Sequence, residues 1–125
     1  MNIENIFKLL NFKILRRCGL GAVAMNSITA IALKQKIDNA EDFQLIDVRE
    51  LYEHQDFNIG GELIPLNEIA QQIQKIATGK PVILYCHKGI RSQIAIQRLQ
   101  EKYPFTNLVN LIGGTQAWRK QFEDF

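Results

Sequence analysis

The tetrapeptide Val82-Ile83-Leu84-Tyr85 constrains this chain more than any other stretch. An unbroken apolar run of strand length reads as a strand buried on both faces, which is the habit of parallel sheets covered by helices on each side. The remaining segments supply the rest of such a sheet. Leu45-Ile46-Asp47-Val48 is a second strand, flanked by the turn-prone Asn39 and Asp42. Leu63-Ile64-Pro65-Leu66 is a shorter extended piece whose proline suits a sheet edge, and Leu108 to Ile112 is a last strand. Between them lie helix-period segments. A short strand or cap at Thr29 leads into a helix bearing Leu33 and Ile37. Asn67 is expected to cap a helix with Ile69, Ile73 and Ile76 on one stripe, stopped by Gly79 and Pro81. Ser92 to Lys102 is helical with Ile94, Ala95 and Leu99 inward, and Thr115 opens a helix holding Trp118 and Phe122, with Trp118 packed in the core. Strand and helix alternating at this spacing predict an α/β domain around a parallel sheet.

A chain of 125 residues is about one domain, and its 46% hydrophobic and 22% charged residues are ordinary for a globular protein. It can bury a core without a metal or a disulfide, which excludes a disulfide-stapled miniprotein, a disordered tail and a multidomain machine. The net charge of +2 hides an asymmetry: residues 1–36 carry a balance of +5 and the remaining 89 residues a balance of −3. The body therefore lacks the basic excess that nucleic-acid binders need, and no nucleic-acid partner is expected. Cys18, Cys86, His54 and His87 are scattered, without the close ligand spacing of a zinc site, so neither a metal nor any other cofactor is expected. Two thiols read as unpaired point to a reducing compartment, and a cytoplasmic location is expected.

The first residues stand apart. Ile3, Ile6, Phe7, Leu10 and Ile14 fall on one helical stripe ended by Gly19 and Gly21. Residues 1–25 read as a basic amphipathic extension, for which three roles stay open: packing on the domain, contact of residues 1–17 with a membrane surface or a partner through Lys8, Lys13 and Arg16, or a dispensable leader ahead of a start at Met25. The apolar stretch from Cys18 to Met25 is too short and weak for a signal-peptide core or a membrane span.

Chemistry in an open α/β sheet gathers where strand ends feed helix starts. The strongest strand runs into Cys86-His87-Lys88-Gly89-Ile90-Arg91-Ser92 and then into a helix. Gly89 permits a tight turn with positive φ, and Ser92 lies near the helix N-cap. Such a loop can curl so that successive backbone N–H groups converge into an anion nest above a helix N-terminus. A cysteine at its centre, near the cations of Lys88 and Arg91, is favoured as thiolate and is a candidate nucleophile.

Cys86-x-x-Gly89-x-Arg91-Ser92 after an apolar strand resembles the active-site loop of rhodanese-like sulfurtransferases. Three further segments agree in order: Asp47-Val48-Arg49-Glu50 with Glu53, Gly60-Gly61-Glu62 followed by Ile64-Pro65-Leu66, and Leu111-Ile112-Gly113-Gly114 followed by Ala117-Trp118. The resemblance covers about residues 27–122 and places the domain at residues 26–125. It implies a three-layer α/β fold with a central parallel sheet of about five strands and helices on both faces. It also implies a reaction: Cys86 takes a sulfane sulfur from a small donor such as thiosulfate as a persulfide. Cyanide, a thiol or an acceptor protein then removes it.

In that mechanism His87, Lys88, Gly89, Ile90, Arg91 and Ser92 form the anion-binding loop. Arg91 shapes the loop or holds the donor's oxyanion, Lys88 draws anionic donors, and His87 is foremost a surface residue. Asp47 braces the loop N–H groups or Arg91, with Arg49 assisting. Asn58, Leu51 and His54 depart from the residues common at their positions in the family. Two alternatives stay open: a sulfur-relay or regulatory module working with a biosynthetic partner protein, and a phosphatase or arsenate reductase. The latter class carries seven residues from Cys to Arg, against six from Cys86 to Arg91 here.

Overall fold

The computed structural model describes residues 25–123. Five parallel strands form one sheet: β1 (Ser27–Ile28), β2 (Gln44–Asp47), β3 (Glu62–Leu63), β4 (Val82–Tyr85) and β5 (Leu108–Leu111), in the order β1-β5-β4-β2-β3. The apolar run is the middle strand. All four of its residues have no solvent exposure, and it pairs with β2 from Gln44↔Val82 to Asp47↔Tyr85 and with β5 from Val82↔Leu108 to Leu84↔Asn110. Around the sheet lie α1 (Ala30–Asp38), α2 (Leu51–Asp56), α3 (Arg91–Lys102) and α4 (Gly114–Phe122).

Alternation along β4 divides the core in two. Val82, Leu84 and Cys86 face α3 and pack with Ile46, Val48, Ile64, Ile69, Ala95, Ile96 and Leu99. Ile83 and Tyr85 face α1 and α4, packing with Ile28, Leu33 and Leu111, and with Trp118 from the partly buried rim. The expected three layers are therefore present. Thr29 caps α1, its hydroxyl accepting from the Ala32 N–H at 3.1 Å. The expected extended piece from Leu63 to Leu66 is reduced to a two-residue edge strand, Glu62–Leu63, that ends before Pro65.

Two expectations change. The helix expected from Asn67 is a pair of 3-10 turns, Ile69–Gln71 and Ile73–Lys75. Tertiary bonds fix this segment at its far end. The Gln44 side chain donates to Lys75 O and accepts from Ala77 N–H, and Asn107 Nδ2 donates to Ala77 O and Lys80 O, all at 2.7 Å. Burying Ile69 and Ile76 within that span outweighs weak helix propensity. On α3 the third buried apolar position is Ile96 rather than Ile94. Among the described residues no helix is long and apolar enough to cross a membrane. The expectations for residues 1–24, Cys18 included, lie outside the described residues.

Candidate active site

Cys86 is the first residue beyond β4, on the face that meets α3, and is 1% exposed. Its Sγ accepts from the Gly89 N–H at 3.1 Å and the Ser92 N–H at 3.4 Å, and lies 3.5 Å from Ser92 Oγ. The loop can curl this tightly because Gly89 has φ +90°, and a Cβ there would come within 2.9 Å of the Gly113 nitrogen. α3 begins at Arg91, so the sulfur lies at the positive end of a 12-residue helix. The opposite wall of the loop is the start of α4, where Thr115 N–H donates to Cys86 O at 2.8 Å and Gln116 N–H donates to His87 O at 2.9 Å. Gly114 makes this approach feasible, since a Cβ there would overlap the Cys86 carbonyl oxygen. The Gly89 and Ser92 N–H groups thus converge on the sulfur, and the peptide behind it is pinned by the start of α4.

The loop side chains divide by role. His87 and Lys88 are exposed, and His87 Nδ1 lies 3.3 Å from Thr115 Oγ1. Ile90 is also exposed, as are Leu51 and Tyr52 of α2 at 56% and 71%, and Glu53 of the same helix meets Arg91. Arg91 is turned toward α2. Its Nη1 and Nη2 donate to the two carboxylate oxygens of Glu53 at 2.7 and 2.8 Å, a bidentate pair. The Arg91 hydrogen bonds, against a smaller opposing effect of burial, hold the Glu53 carboxyl down at about 2. Glu53 in turn keeps Arg91 more firmly protonated than an ordinary arginine. Glu53 Oε1 also accepts from the Glu50 N–H at 3.1 Å, so one carboxylate closes the start of α2 and anchors the Cys86 loop.

Asp47 and Arg49 do not brace the loop N–H groups or Arg91 as expected. Asp47 is aligned with Tyr85 in the sheet and shares its face, the side opposite Cys86. Its carboxylate accepts from Arg49 N–H and Nε at 3.0 and 2.9 Å and from Arg49 Nη2 at 2.8 Å, and lies 2.8 Å from His54 Nδ1. Arg49 Nη2 also donates to Phe57 O at 2.6 Å. Burial is the largest single influence on Arg49 and opposes its charge, but the hydrogen bonds and the negative charge of Asp47, with smaller help from Tyr85 and Glu53, together outweigh it and hold the guanidinium protonated. This buried pair fixes the connection from β2 to α2, and through it the place of Glu53. Tyr85 continues the brace, its hydroxyl accepting from Ile59 N–H and donating to Gly60 O, while burial pushes its ionisation upward.

Two partners escaped the sequence reading. Glu53 was visible as part of a motif but not as the clamp on Arg91, a contact across 38 positions. Asn110 was not singled out; it is buried on β5 and accepts a short hydrogen bond from Ser92 Oγ. Its signal was a polar side chain inside the otherwise apolar Leu108-Val109-Asn110-Leu111. Among the described residues no cluster of three or more His, Cys, Asp or Glu side chains is placed to hold a metal ion.

A parallel five-stranded sheet, a cysteine at the end of its middle strand and an N–H cradle closed by a glycine turn define a class of α/β domain. The chain belongs to the rhodanese-like domain family, which matches residues 29–121. It is similar to YrkF of Bacillus subtilis, named as a candidate sulfur carrier protein, at 31% identity over 103 residues, 82% of this chain and 55% of YrkF. It is also similar to the maize adenylyltransferase and sulfurtransferase MOCS3-1, at 31% identity over 104 residues, 77% of this chain and 22% of that protein. The chain thus spans little more than half of one relative and under a quarter of the other. The crystal structure of a rhodanese-like domain protein from Staphylococcus aureus superposes with a TM-score of 0.68 at 28% identity, over 75% of this chain and 91% of that one.

Proposed function

We propose that this domain is a sulfurtransferase that carries a sulfane sulfur on Cys86. The observation that carries the reading is the position of Cys86 Sγ inside the cradle of Gly89 and Ser92 N–H groups at the start of α3. The Cys86 thiolate attacks the outer sulfur of a donor such as thiosulfate. The new S–S bond forms as the donor's S–S bond breaks, and sulfite leaves with the bonding electron pair. The resulting persulfide is anionic, and the cradle amides and the helix N-terminus stabilise it. A nucleophilic acceptor then attacks the outer sulfur and departs with it, returning Cys86 as thiolate. The cycle needs no external oxidant or reductant.

A protein acceptor is the second form of the same reading. Leu51 and Tyr52 on α2 and Ile90 in the loop are exposed apolar side chains on the two elements joined by the Glu53–Arg91 pair, a feature suited to a protein acceptor rather than to cyanide. Relatives in which the matching region is part of a longer adenylyltransferase and sulfurtransferase favour such a relay. The phosphatase reading is disfavoured by the six-residue span from Cys86 to Arg91 and by the commitment of Arg91 to Glu53.

Mass spectrometry of the protein after thiosulfate treatment tests the proposal. One added sulfur atom on the Cys86 peptide is expected; an adduct confined to Cys18 overturns it. Turnover of p-nitrophenyl phosphate above background would favour the phosphatase instead.

A further inference from the structure

Asn110 lies one strand away from the nucleophile, yet it controls an atom that touches it. In the register of β4 and β5 it is aligned with Leu84, whose side chain shares the Cys86 face, and it is 3% exposed. From there its Oδ1 accepts from Ser92 Oγ. The Ser92 hydroxyl has one proton to give. With that proton directed to Asn110, the hydroxyl meets Cys86 Sγ, 3.5 Å away, with lone pairs, and only a thiol proton can complete the contact. Once the sulfur is anionic that arrangement places lone pairs against lone pairs. The hydroxyl must then turn its proton to the sulfur and release Asn110.

An asparagine suits both states, because its amide turned over offers Nδ2–H to the same hydroxyl oxygen. A carboxylate could only accept, and an aliphatic side chain could do neither. We infer that Asn110 is a positioning residue that sets the direction of the Ser92 hydroxyl, and through it how readily Cys86 becomes an anionic nucleophile. This rests on Cys86 being the reacting thiol, as proposed above. The other charged or titratable groups around the sulfur are His87 and Lys88 of the loop and Arg91 of α3 with its partner Glu53; none is altered in the test.

The experiment is the rate of Cys86 alkylation by iodoacetamide as a function of pH, read on the Cys86 peptide so that Cys18 does not contribute. It needs neither sulfur donor nor acceptor. Failure of the sulfurtransferase reading would show as absence of the persulfide, whereas failure of this inference shows only in these profiles. Asn110→Leu frees the hydroxyl to donate to sulfur, and alkylation at about pH 6 is expected to rise roughly five-fold. Asn110→Asp locks the hydroxyl away and adds negative charge, and the profile is expected to move up by about one pH unit. In a Ser92→Ala protein the effect of Asn110→Leu should vanish.

A purely structural role would move both substitutions in the same direction, or leave the Asn110→Leu effect intact without the Ser92 hydroxyl; either result overturns the inference, as does no change in either variant. If the variants do not fold, the Raman S–H band of the Cys18→Ser protein decides the question. A Cys86 thiol donating to Ser92 gives a band lowered from that of a free thiol, and an unshifted band overturns the inference.

Discussion

Gly89 shows how much of the site depends on single positions. Its φ of +90° is open to glycine and costly for other residues, and its N–H is the shortest donor to Cys86 Sγ, at 3.1 Å. Gly89→Ala therefore combines backbone strain of roughly 1–3 kcal/mol with a clash against the Gly113 nitrogen. Relief requires the loop to open, which withdraws the N–H from the sulfur. The expected outcome is a loss of at least about ten-fold in the rate of persulfide formation with a smaller fall in thermal midpoint, measured by single-turnover loading and calorimetry. Unchanged loading would show that the cradle does not depend on this turn.

At the scale of elements, the anchor between α2 and α3 is electrostatic and its pH dependence has a definite sign. Glu53 has its carboxyl held at about 2, against an ordinary value of 4.5, chiefly by Arg91. A folded-state value depressed below the unfolded one gives stability that is fully present above about pH 4.5 and is lost as pH falls toward 2. The two side chains are 34% and 18% exposed, so the contribution is about 1–2 kcal/mol after screening. Glu53→Gln should therefore unfold at lower urea than wild type at pH 7, and the gap should close by about pH 2. A gap that is the same at both pH values would contradict this account of the anchor.

The same scale shows what was legible in the sequence. The apolar run of β4, the edge position of the segment around Leu63 and the cap at Thr29 are local signals, and the parallel sheet followed from them; the last helix begins at Gly114 behind a Gly113 cap, one residue before the Thr115 start expected from the sequence. The segment over residues 69–75 did not. Its local periodicity is helical, while the side chains that decide its shape, Gln44 and Asn107, come from other elements. The site divides in the same way. Cys86, Gly89 and Ser92 lie within one loop and were readable together. Glu53 opposite Arg91 and Asn110 beneath Ser92 depend on how strands and helices stack, and a carboxylate or amide alone does not reveal its partner. Asp47 and Arg49 were found as a pair but placed on the wrong side, because which face a strand-end residue takes is set by register.

The whole molecule directs several effects to one sulfur atom. The middle strand delivers Cys86 to the sheet's carboxyl edge. α3 points its N-terminus at the sulfur, and α4 pins the peptide behind it through Thr115 and Gln116. The buried Asp47–Arg49 pair holds the segment from which Glu53 clamps Arg91. The uneven charge of the sequence matters little to this arrangement: the two arginines in this framework, Arg49 and Arg91, are each paired, leaving Lys88 as the exposed cation of the loop. The central claim is that the framework exists to make Cys86 carry sulfur. Its most direct test is steady-state thiocyanate release from thiosulfate and cyanide, comparing wild type with Cys86→Ser. The account predicts ping-pong kinetics for wild type and a rate at background for the variant; thiocyanate release by Cys86→Ser at the wild-type rate would contradict it.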